Sequence, residues 1–349
     1  MRFANLVSLA LLSSCINAAP APQHHEHREK RDAAVVTTTV ETNVNVVVGT
    51  SGAAEEAVND AASVAASSAT TTATTSTSST STSTSTDSSS TSSGSAKGLS
   101  YSPYNSDGSC KALSDVKTDL ANLTDYSIIR LYGVDCQQVE NVLQAKQSSQ
   151  KLFLGIYYMD AIESGVSTIQ SAIESYGSWD DVYTVSIGNE LVNSGSATAS
   201  QIEGYVNSGK TALTAAGYTG PVVSVDTFTA VIDNTELCNY SDYIAVNAHA
   251  YFDYYTAAAD AGTWLKTQIS RVSDACGGNK TVLITESGWP SQGETYGSAV
   301  PSKANQEAAI SSIKSNCGDS TILFTAYNDL WKADGSYGVE KWWGVYSRD

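Results

Sequence analysis

Short apolar runs alternate with amphipathic segments along residues 98–349. Eight of these runs have the length and composition of buried strands, and they occupy residues 98–104, 127–133, 151–158, 182–189, 221–228, 243–252, 281–287 and 321–328. The connecting segments with the clearest helical periodicity are 110–123, 134–145, 198–216, 262–276 and 303–316. The connection at 229–242 has the weakest helical pattern.

This alternation of strands and helices predicts a parallel α/β sheet. Eight strand–helix repeats in about 250 residues predict a (β/α)8 TIM barrel. An open doubly wound sheet is the alternative. Its dinucleotide-binding version is disfavoured, because no glycine-rich phosphate loop follows the first apolar run.

The first 31 residues have the pattern of segments that are removed from secreted proteins. Residues 1–18 combine Arg2, a short apolar centre and a small-residue end, which is typical of a secretory signal peptide. Residues 19–31 end in Lys30 and Arg31, a dibasic pair that predicts a pro-segment cut during secretion.

Residues 32–97 have the composition of two further segments outside the barrel. Residues 32–66 are rich in Val, Thr and Ala, and their pattern assigns them no fold. Residues 67–97 are predicted to form a disordered stalk, because 25 of the 29 residues in 67–95 are Ser or Thr. In a secreted protein such a stalk is typically O-glycosylated, and a plain flexible linker is the alternative.

The charge balance narrows the classes of partner. The chain has 36 acidic and 19 basic residues, a net charge of −17. Nucleic acids and anionic membranes are bound through Lys and Arg, so neither is an expected partner, and a neutral substrate fits better.

No apolar run reaches the roughly 20 residues of a membrane span. Three of the four histidines lie in the predicted pro-segment, so a His-rich metal site is not expected. The sequence indicates no other metal and no organic cofactor.

The cysteines and the glycosylation sequons fit an extracellular protein. After Cys15 leaves with the signal, five cysteines remain: Cys110, Cys136, Cys238, Cys276 and Cys317. Disulfides are expected in an oxidising compartment, and an odd number leaves one thiol over, but the spacing does not determine the pairing. Three sequons predict glycosylated surface positions at Asn122, Asn239 and Asn279.

Two apolar runs each end on a glutamate, Glu190 in the fourth and Glu286 in the seventh. In a TIM barrel both would lie at the mouth formed by the strand ends, where active sites occur. Cleavage of a glycosidic bond needs two facing carboxylates. Asn189 could hydrogen-bond a sugar hydroxyl, and Trp289 could stack on a sugar ring. The alternatives are solvated or capping glutamates and a tryptophan that packs in the core.

The segments IGNE (187–190) and ITESGWP (284–290), together with RLYG (130–133) and YNDLWK (327–332), resemble glycoside hydrolase family 17, the β-1,3-glucanases. The secreted fungal branch is most similar, namely the soluble cell-wall glucanases and surface mannoproteins of budding yeasts. The resemblance covers about residues 98–349, and its most specific segment is TESGWP.

The resemblance implies a retaining mechanism with Glu190 as acid/base and Glu286 as nucleophile. It implies that Glu190 is protonated and Glu286 ionised in the resting protein. It also assigns substrate-binding roles to Tyr132, Tyr251, Lys332 and Asp329, the last of which replaces a Glu of plant members.

Three further residues or pairs have an expected place at or near the mouth. His249 could contact substrate or hydrogen-bond within the barrel. Trp331 could extend a sugar platform. Trp342 and Trp343 are expected mainly to pack the C-terminal segment.

Two functions follow from this sequence. The first is a secreted cell-wall glycosidase that acts on β-1,3-glucan by double displacement and passes the sugar to water or to another glucan. The second is a structural or adhesive mannoprotein that binds glucan with little turnover. The sequence leaves open the oligomeric state, the choice between endo and exo action and the glucan length.

Overall fold

The structure is a computed structural model, and it describes residues 94–347. The predicted signal peptide, the pro-segment, the segment 32–66 and most of the Ser/Thr-rich stalk lie outside the described residues.

Nine parallel strands form one sheet in the described part of the chain, and eight helices of at least four residues accompany them. The strands are β1 (Gly98–Ser100), β2 (Ile128–Arg130), β3 (Lys151–Ile156), β4 (Val182–Ile187), β5 (Val222–Val223), β6 (Val225–Thr227), β7 (Ile244–Asn247), β8 (Val282–Ser287) and β9 (Thr321–Leu323). The helices are α1 (Leu113–Leu120), α2 (Gln138–Ala145), α3 (Ile162–Tyr176), α4 (Ala199–Ala215), α5 (Phe228–Asp233), α6 (Leu237–Tyr240), α7 (Ala261–Ala275) and α8 (Lys303–Cys317).

The strand order closes the sheet into a nearly complete barrel. Neighbouring strands follow the order β5-β4-β3-β2-β1-β9-β8-β7-β6. The two strands at the ends of this order, β5 and β6, are separated along the chain by Ser224 alone. The backbone N–H of Ser224 donates to the Ser241 hydroxyl at 2.8 Å, so it takes no part in the ladder. The fifth predicted strand is therefore split in two, and the predicted (β/α)8 barrel is confirmed.

The predicted elements are present, and most of the strands are shorter than the apolar runs that predicted them. The five segments with clear helical periodicity contain α1, α2, α4, α7 and α8. The weak fifth connection forms only two short helices, α5 and α6, as its pattern indicated. Helix α3 lacked a clear sequence pattern. It contains Gly165, where a Cβ would lie 3.1 Å from Ile156 on β3, so this glycine allows the helix to lie close to the sheet.

Alternate strand residues supply two layers of apolar packing. One cluster fills the barrel interior with buried residues of seven strands, namely Ile128, Phe153, Val223, Val225, Ala245, Leu283 and Ile322. A larger cluster packs the outer faces of the strands against the helices. In β2, for example, Ile128 belongs to the inner cluster and Ile129 to the outer one, as the period of two requires.

Two disulfides join Cys110 to Cys136 and Cys238 to Cys276, and Cys317 is the free cysteine of the described residues. The side chains of Asn122, Asn239 and Asn279 are all exposed, which suits the predicted glycosylation. Within the described part of the chain, none of the helices combines the length and apolar character that a membrane span requires.

Candidate active site

One cavity opens where the strands end, and both glutamates line it. Glu190 follows β4, and Glu286 is the penultimate residue of β8. Their exposed fractions are 8% and 5%, so both carboxylates are taken from water. The strand ends therefore bring together the two residues that the sequence placed about a hundred positions apart.

Glu286 is held by three hydrogen-bond donors. Its Oε1 accepts from Arg130 Nη1 and from the Tyr132 hydroxyl, each at 2.9 Å. Its Oε2 lies 3.2 Å from His249 Nε2. Arg130 is 1% exposed, so the ion pair between its guanidinium and Glu286 is buried.

These contacts keep Glu286 ionised. Burial acts to raise the pKa of Glu286, but the Arg130 charge and the hydrogen bonds from His249 and Tyr132 outweigh it and lower the pKa to about 2. Because an ionised carboxylate can only accept, His249 Nε2 is the donor in this hydrogen bond. A buried, ionised carboxylate that accepts several hydrogen bonds is the state that a nucleophile requires.

Glu190 occupies a tight turn at the end of β4. Its φ is +54°, and Gly188 two residues earlier has a φ of +77°. A residue with a side chain rarely adopts this left-handed conformation, and such strain is often found at functional sites. Glu190 Oε1 accepts from Asn247 Nδ2 at 2.8 Å.

Arg130 and Asn247 connect the two glutamates. Arg130 Nη2 donates to Asn189 Oδ1 at 2.9 Å, while Nη1 holds Glu286. Asn247 accepts from Arg130 Nη1 at 3.3 Å and donates to both Asn189 and Glu190. One buried guanidinium and one buried amide therefore set the relative positions of both carboxylates.

The last strand loop contributes a second charged pair to the cavity wall. Lys332 Nζ lies 3.1 Å from Asp329 Oδ2, and its ammonium is 4.8 Å from the centre of the Phe324 ring. Burial acts to lower the pKa of Lys332, but Asp329 and Glu340 outweigh it and raise the pKa. Lys332 is therefore a fixed positive charge in the cavity.

The cavity has an aromatic wall, and its members differ in part from those expected. The aromatic side chains that line it are Tyr104, Tyr132, Tyr157, Tyr158, Phe252, Phe324, Trp331 and Trp343. Trp331 was among the expected residues, and its ring lies 4.5 Å from that of Tyr104. Trp343 packs against His249 with 4.8 Å between ring centres, so it joins the cavity as well as the core.

Two expected substrate-binding residues lie elsewhere. Tyr251 and Trp289 are both 0% exposed, and neither lines the cavity. Their rings pack edge to face at 5.8 Å, and Trp289 Nε1 donates to the Val300 carbonyl. The expected sugar platform at Trp289 and the cleft-lining role of Tyr251 are therefore wrong for this structure, because both rings pack in the core.

Sequence reasoning missed Arg130 and Asn247, although each left a signal. Arg130 is a lone charge inside the apolar run SIIRLYG, and a charge buried in a strand needs a partner. Asn247 is a polar residue inside the apolar run 243–252, and it is the last residue of β7. No group of three His, Cys, Asp or Glu residues in the described range 94–347 is arranged to hold a metal ion.

A (β/α)8 barrel with two buried glutamates in one cavity at its strand ends has the architecture of a glycoside hydrolase. Comparison with known proteins agrees, because residues 98–344 match the BtgE/BtgC glycoside hydrolase domain. The chain belongs to the BtgE/BtgC glycoside hydrolase family.

Two yeast relatives are very similar. The chain is 71% identical over 254 residues to the probable family 17 glucosidase SCW10 of Saccharomyces cerevisiae, covering 73% of this chain and 65% of the relative. It is 64% identical over 252 residues to the cell surface mannoprotein MP65 of Candida albicans, covering 72% of this chain and 67% of the relative. The chain thus spans about two thirds of the length of these relatives.

A solved structure has the same fold. The glycoside hydrolase family 17 β-1,3-glucanosyltransferase from Rhizomucor miehei aligns with a TM-score of 0.61 and 22% identity. The alignment covers 72% of this chain and 92% of that one. At this identity the likeness supports the barrel fold alone.

Proposed function

We propose that this protein is a secreted cell-wall glycosidase that acts on β-1,3-glucan by a retaining double displacement. The observation that carries the proposal is the buried ion pair between Arg130 and Glu286 in the cavity that Glu190 shares. A carboxylate kept ionised beside a second carboxyl group supplies a nucleophile and an acid in one site.

In the first step, a carboxylate oxygen of Glu286 attacks the anomeric carbon of the sugar. The glycosidic C–O bond breaks, its electron pair stays on the leaving oxygen, and the proton of Glu190 goes to that oxygen. An ester then joins the sugar to Glu286. This step requires Glu190 to be protonated, which stays a prediction.

In the second step, Glu190 is a carboxylate and takes a proton from an incoming hydroxyl. The oxygen of that hydroxyl attacks the anomeric carbon, and the ester bond to Glu286 breaks. Water as the acceptor gives hydrolysis, and a sugar hydroxyl of another glucan gives transglycosylation. The aromatic wall and the polar groups of Asn189 and Lys332 suit a neutral sugar chain, whose rings have apolar faces and hydroxyl edges.

The β-1,3 linkage and the cell-wall location rest on relatives. The Rhizomucor miehei protein is named a β-1,3-glucanosyltransferase, and an active-site mutant of it was solved with laminaritriose. The Candida albicans relative is named a cell surface mannoprotein. That name is also consistent with a second function, that of a wall mannoprotein that binds glucan without turnover.

Product analysis on β-1,3-linked oligosaccharides tests the proposal. The wild type is compared with Glu286→Gln and with Glu307→Gln, an exposed control on α8 outside the cavity. We expect the wild type and the control to form shorter or longer oligosaccharides and Glu286→Gln to form none. The first-formed products, followed by NMR, should keep the β configuration.

The outcomes separate the candidate functions. Shorter products identify hydrolysis, and longer products identify transglycosylation. If the oligosaccharide binds to the wild type and stays intact, the proposed enzymatic function is wrong, and the glucan-binding mannoprotein is the remaining candidate. Products of inverted configuration would overturn the double displacement alone.

A further inference from the structure

A fourth buried acidic side chain, besides Glu190, Glu286 and Asp329, lies next to the active site but does not line its cavity. Asp226 on β6 is 5% exposed. Its Oδ2 accepts from the backbone N–H of Val192 at 2.8 Å. Its Oδ1 accepts from the backbone N–H groups of Asn193 at 3.1 Å and of Thr227 at 2.9 Å. Two of the three donors belong to the loop that begins with Glu190.

Strand β6 holds this loop by two further hydrogen bonds. The backbone N–H of Glu190 donates to the Val225 carbonyl at 2.9 Å. The Thr227 hydroxyl donates to Asn193 Oδ1 at 3.2 Å. Residues 190–193 are therefore fixed to β6 at both ends and in the middle.

The loop needs such fixing because its first residue has strained backbone geometry. Glu190 has a φ of +54°, which for a residue with a side chain persists only where the surroundings enforce it. A loop that relaxed would move the Glu190 carboxyl group away from the sugar oxygen. A general acid must stay within hydrogen-bond reach of the atom that it protonates.

We propose that Asp226 is a positioning residue that holds the 190–193 loop and thereby keeps the Glu190 carboxyl group in reach of the glycosidic oxygen. The proposal rests on the function proposed above.

The pattern of donors requires a side chain with acceptor sites on two oxygens. A carboxylate has two acceptor oxygens, whereas an amide has one oxygen and an NH2 group that only donates. In Asp226→Asn, one loop or strand N–H would face another donor at nearly unchanged volume. The variant therefore removes part of the hold on the loop and leaves the packing in place.

Burial is the largest influence on Asp226 and raises its pKa to about 7, while the three backbone N–H donors act in the opposite direction. A carboxyl group keeps acceptor sites on both oxygens when it is protonated, so the three hydrogen bonds persist on either side of this pKa.

The test compares two substrates that differ in their need for an acid. A β-1,3-linked glucose oligosaccharide has a poor leaving group, which must be protonated. A 2,4-dinitrophenyl β-laminaribioside has a good leaving group, which departs without a proton. The kcat/KM value reports the first step, so it isolates the acid role of Glu190.

For Asp226→Asn we expect kcat/KM on the oligosaccharide to fall about 10- to 100-fold, the effect of losing a hydrogen bond to a charged group. On the dinitrophenyl glycoside kcat/KM should stay within a factor of about 3, because the positioning of Glu286 is unchanged. Glu190→Ala should give the same selective loss, only larger.

Asp242→Asn is the matched control. Asp242 also accepts a backbone N–H, that of Val222 at 2.7 Å, but it lies outside the cavity lining. It should leave kcat/KM on both substrates unchanged. If Asp226→Asn does not fold by circular dichroism, Thr227→Val removes the hydroxyl that holds Asn193 and should give the same selective loss.

The other possible results test the role of Asp226, the acid role of Glu190 and the proposed function separately. An equal fall on both substrates, or no fall on either, would overturn the role of Asp226 and leave the proposed function in place. A Glu190→Ala variant without selective loss would overturn the acid role of Glu190. A wild type inactive on both substrates would overturn the proposed function and this inference with it.

Discussion

The buried charge of Arg130 controls the ionisation of Glu286, and Arg130→Gln isolates this effect. The wild-type guanidinium lies 2.9 Å from Glu286 and is 1% exposed, so water screens it little. Glutamine keeps hydrogen-bonding capacity at this position but removes the charge. Burial then raises the Glu286 pKa without the Arg130 charge, which is the largest influence that lowers it in the wild type.

The magnitude follows from the pKa. Lowering the Glu286 pKa from 4.5 to about 2 corresponds to about 3 kcal/mol in favour of the ionised form. A carboxyl group with a lowered pKa contributes stability above its unfolded pKa and loses it as the pH falls through its folded pKa. In Arg130→Gln the Glu286 pKa should rise, because burial favours the neutral form and only His249 and Tyr132 remain to oppose it.

The assay is the pH dependence of kcat/KM on a β-1,3-linked oligosaccharide. The acidic limb should lie near pH 2 in the wild type and move to higher pH in the variant. Unfolding at pH 6 should also be easier, by about 3–5 kcal/mol, the usual cost of breaking a buried pair.

Two variants serve as controls. Arg271→Gln changes an exposed arginine outside the cavity and should leave the profile unchanged. Arg130→Lys keeps the charge but loses the forked geometry, so the acidic limb should stay low while kcat falls at all pH values. An acidic limb of Arg130→Gln at the wild-type position would refute the electrostatic role of Arg130.

Two further predictions concern a hydrogen bond and a disulfide. Tyr132→Phe removes the 2.9 Å hydrogen bond to Glu286 and should lower kcat/KM about 10- to 100-fold without changing the fold. Initial rates over a range of substrate concentrations measure this effect, and an unchanged kcat/KM would contradict the role of Tyr132. Replacing Cys238 and Cys276, which are 38 residues apart, by Ser should destabilise the barrel by roughly 4 kcal/mol in denaturant unfolding. Unfolding of that variant at the wild-type denaturant midpoint would contradict the loop-entropy argument.

The local pattern of the chain was sufficient for the architecture and for the two glutamates. Periods of two and of 3.6 residues are short-range properties, so they identify strands and helices without knowledge of their neighbours. A parallel barrel then places every strand end at one mouth, and this geometry alone brings Glu190 and Glu286 together. The odd cysteine count likewise predicted a free thiol, which is Cys317.

Other features depend on contacts between distant segments, and only the tertiary structure decided them. The partner of each cysteine and the burial of Trp289 follow from which loops meet in space. Arg130 and Asn247 can hold the two glutamates in place because their side chains meet inside the barrel. A sequence pattern does not show which side chains of distant strands meet. The ionisation of Glu286 is likewise a property of its surroundings, since burial and charge act on its pKa in opposite directions. Strand order and strand ends are therefore determined locally, whereas side-chain pairing and electrostatics require the folded barrel.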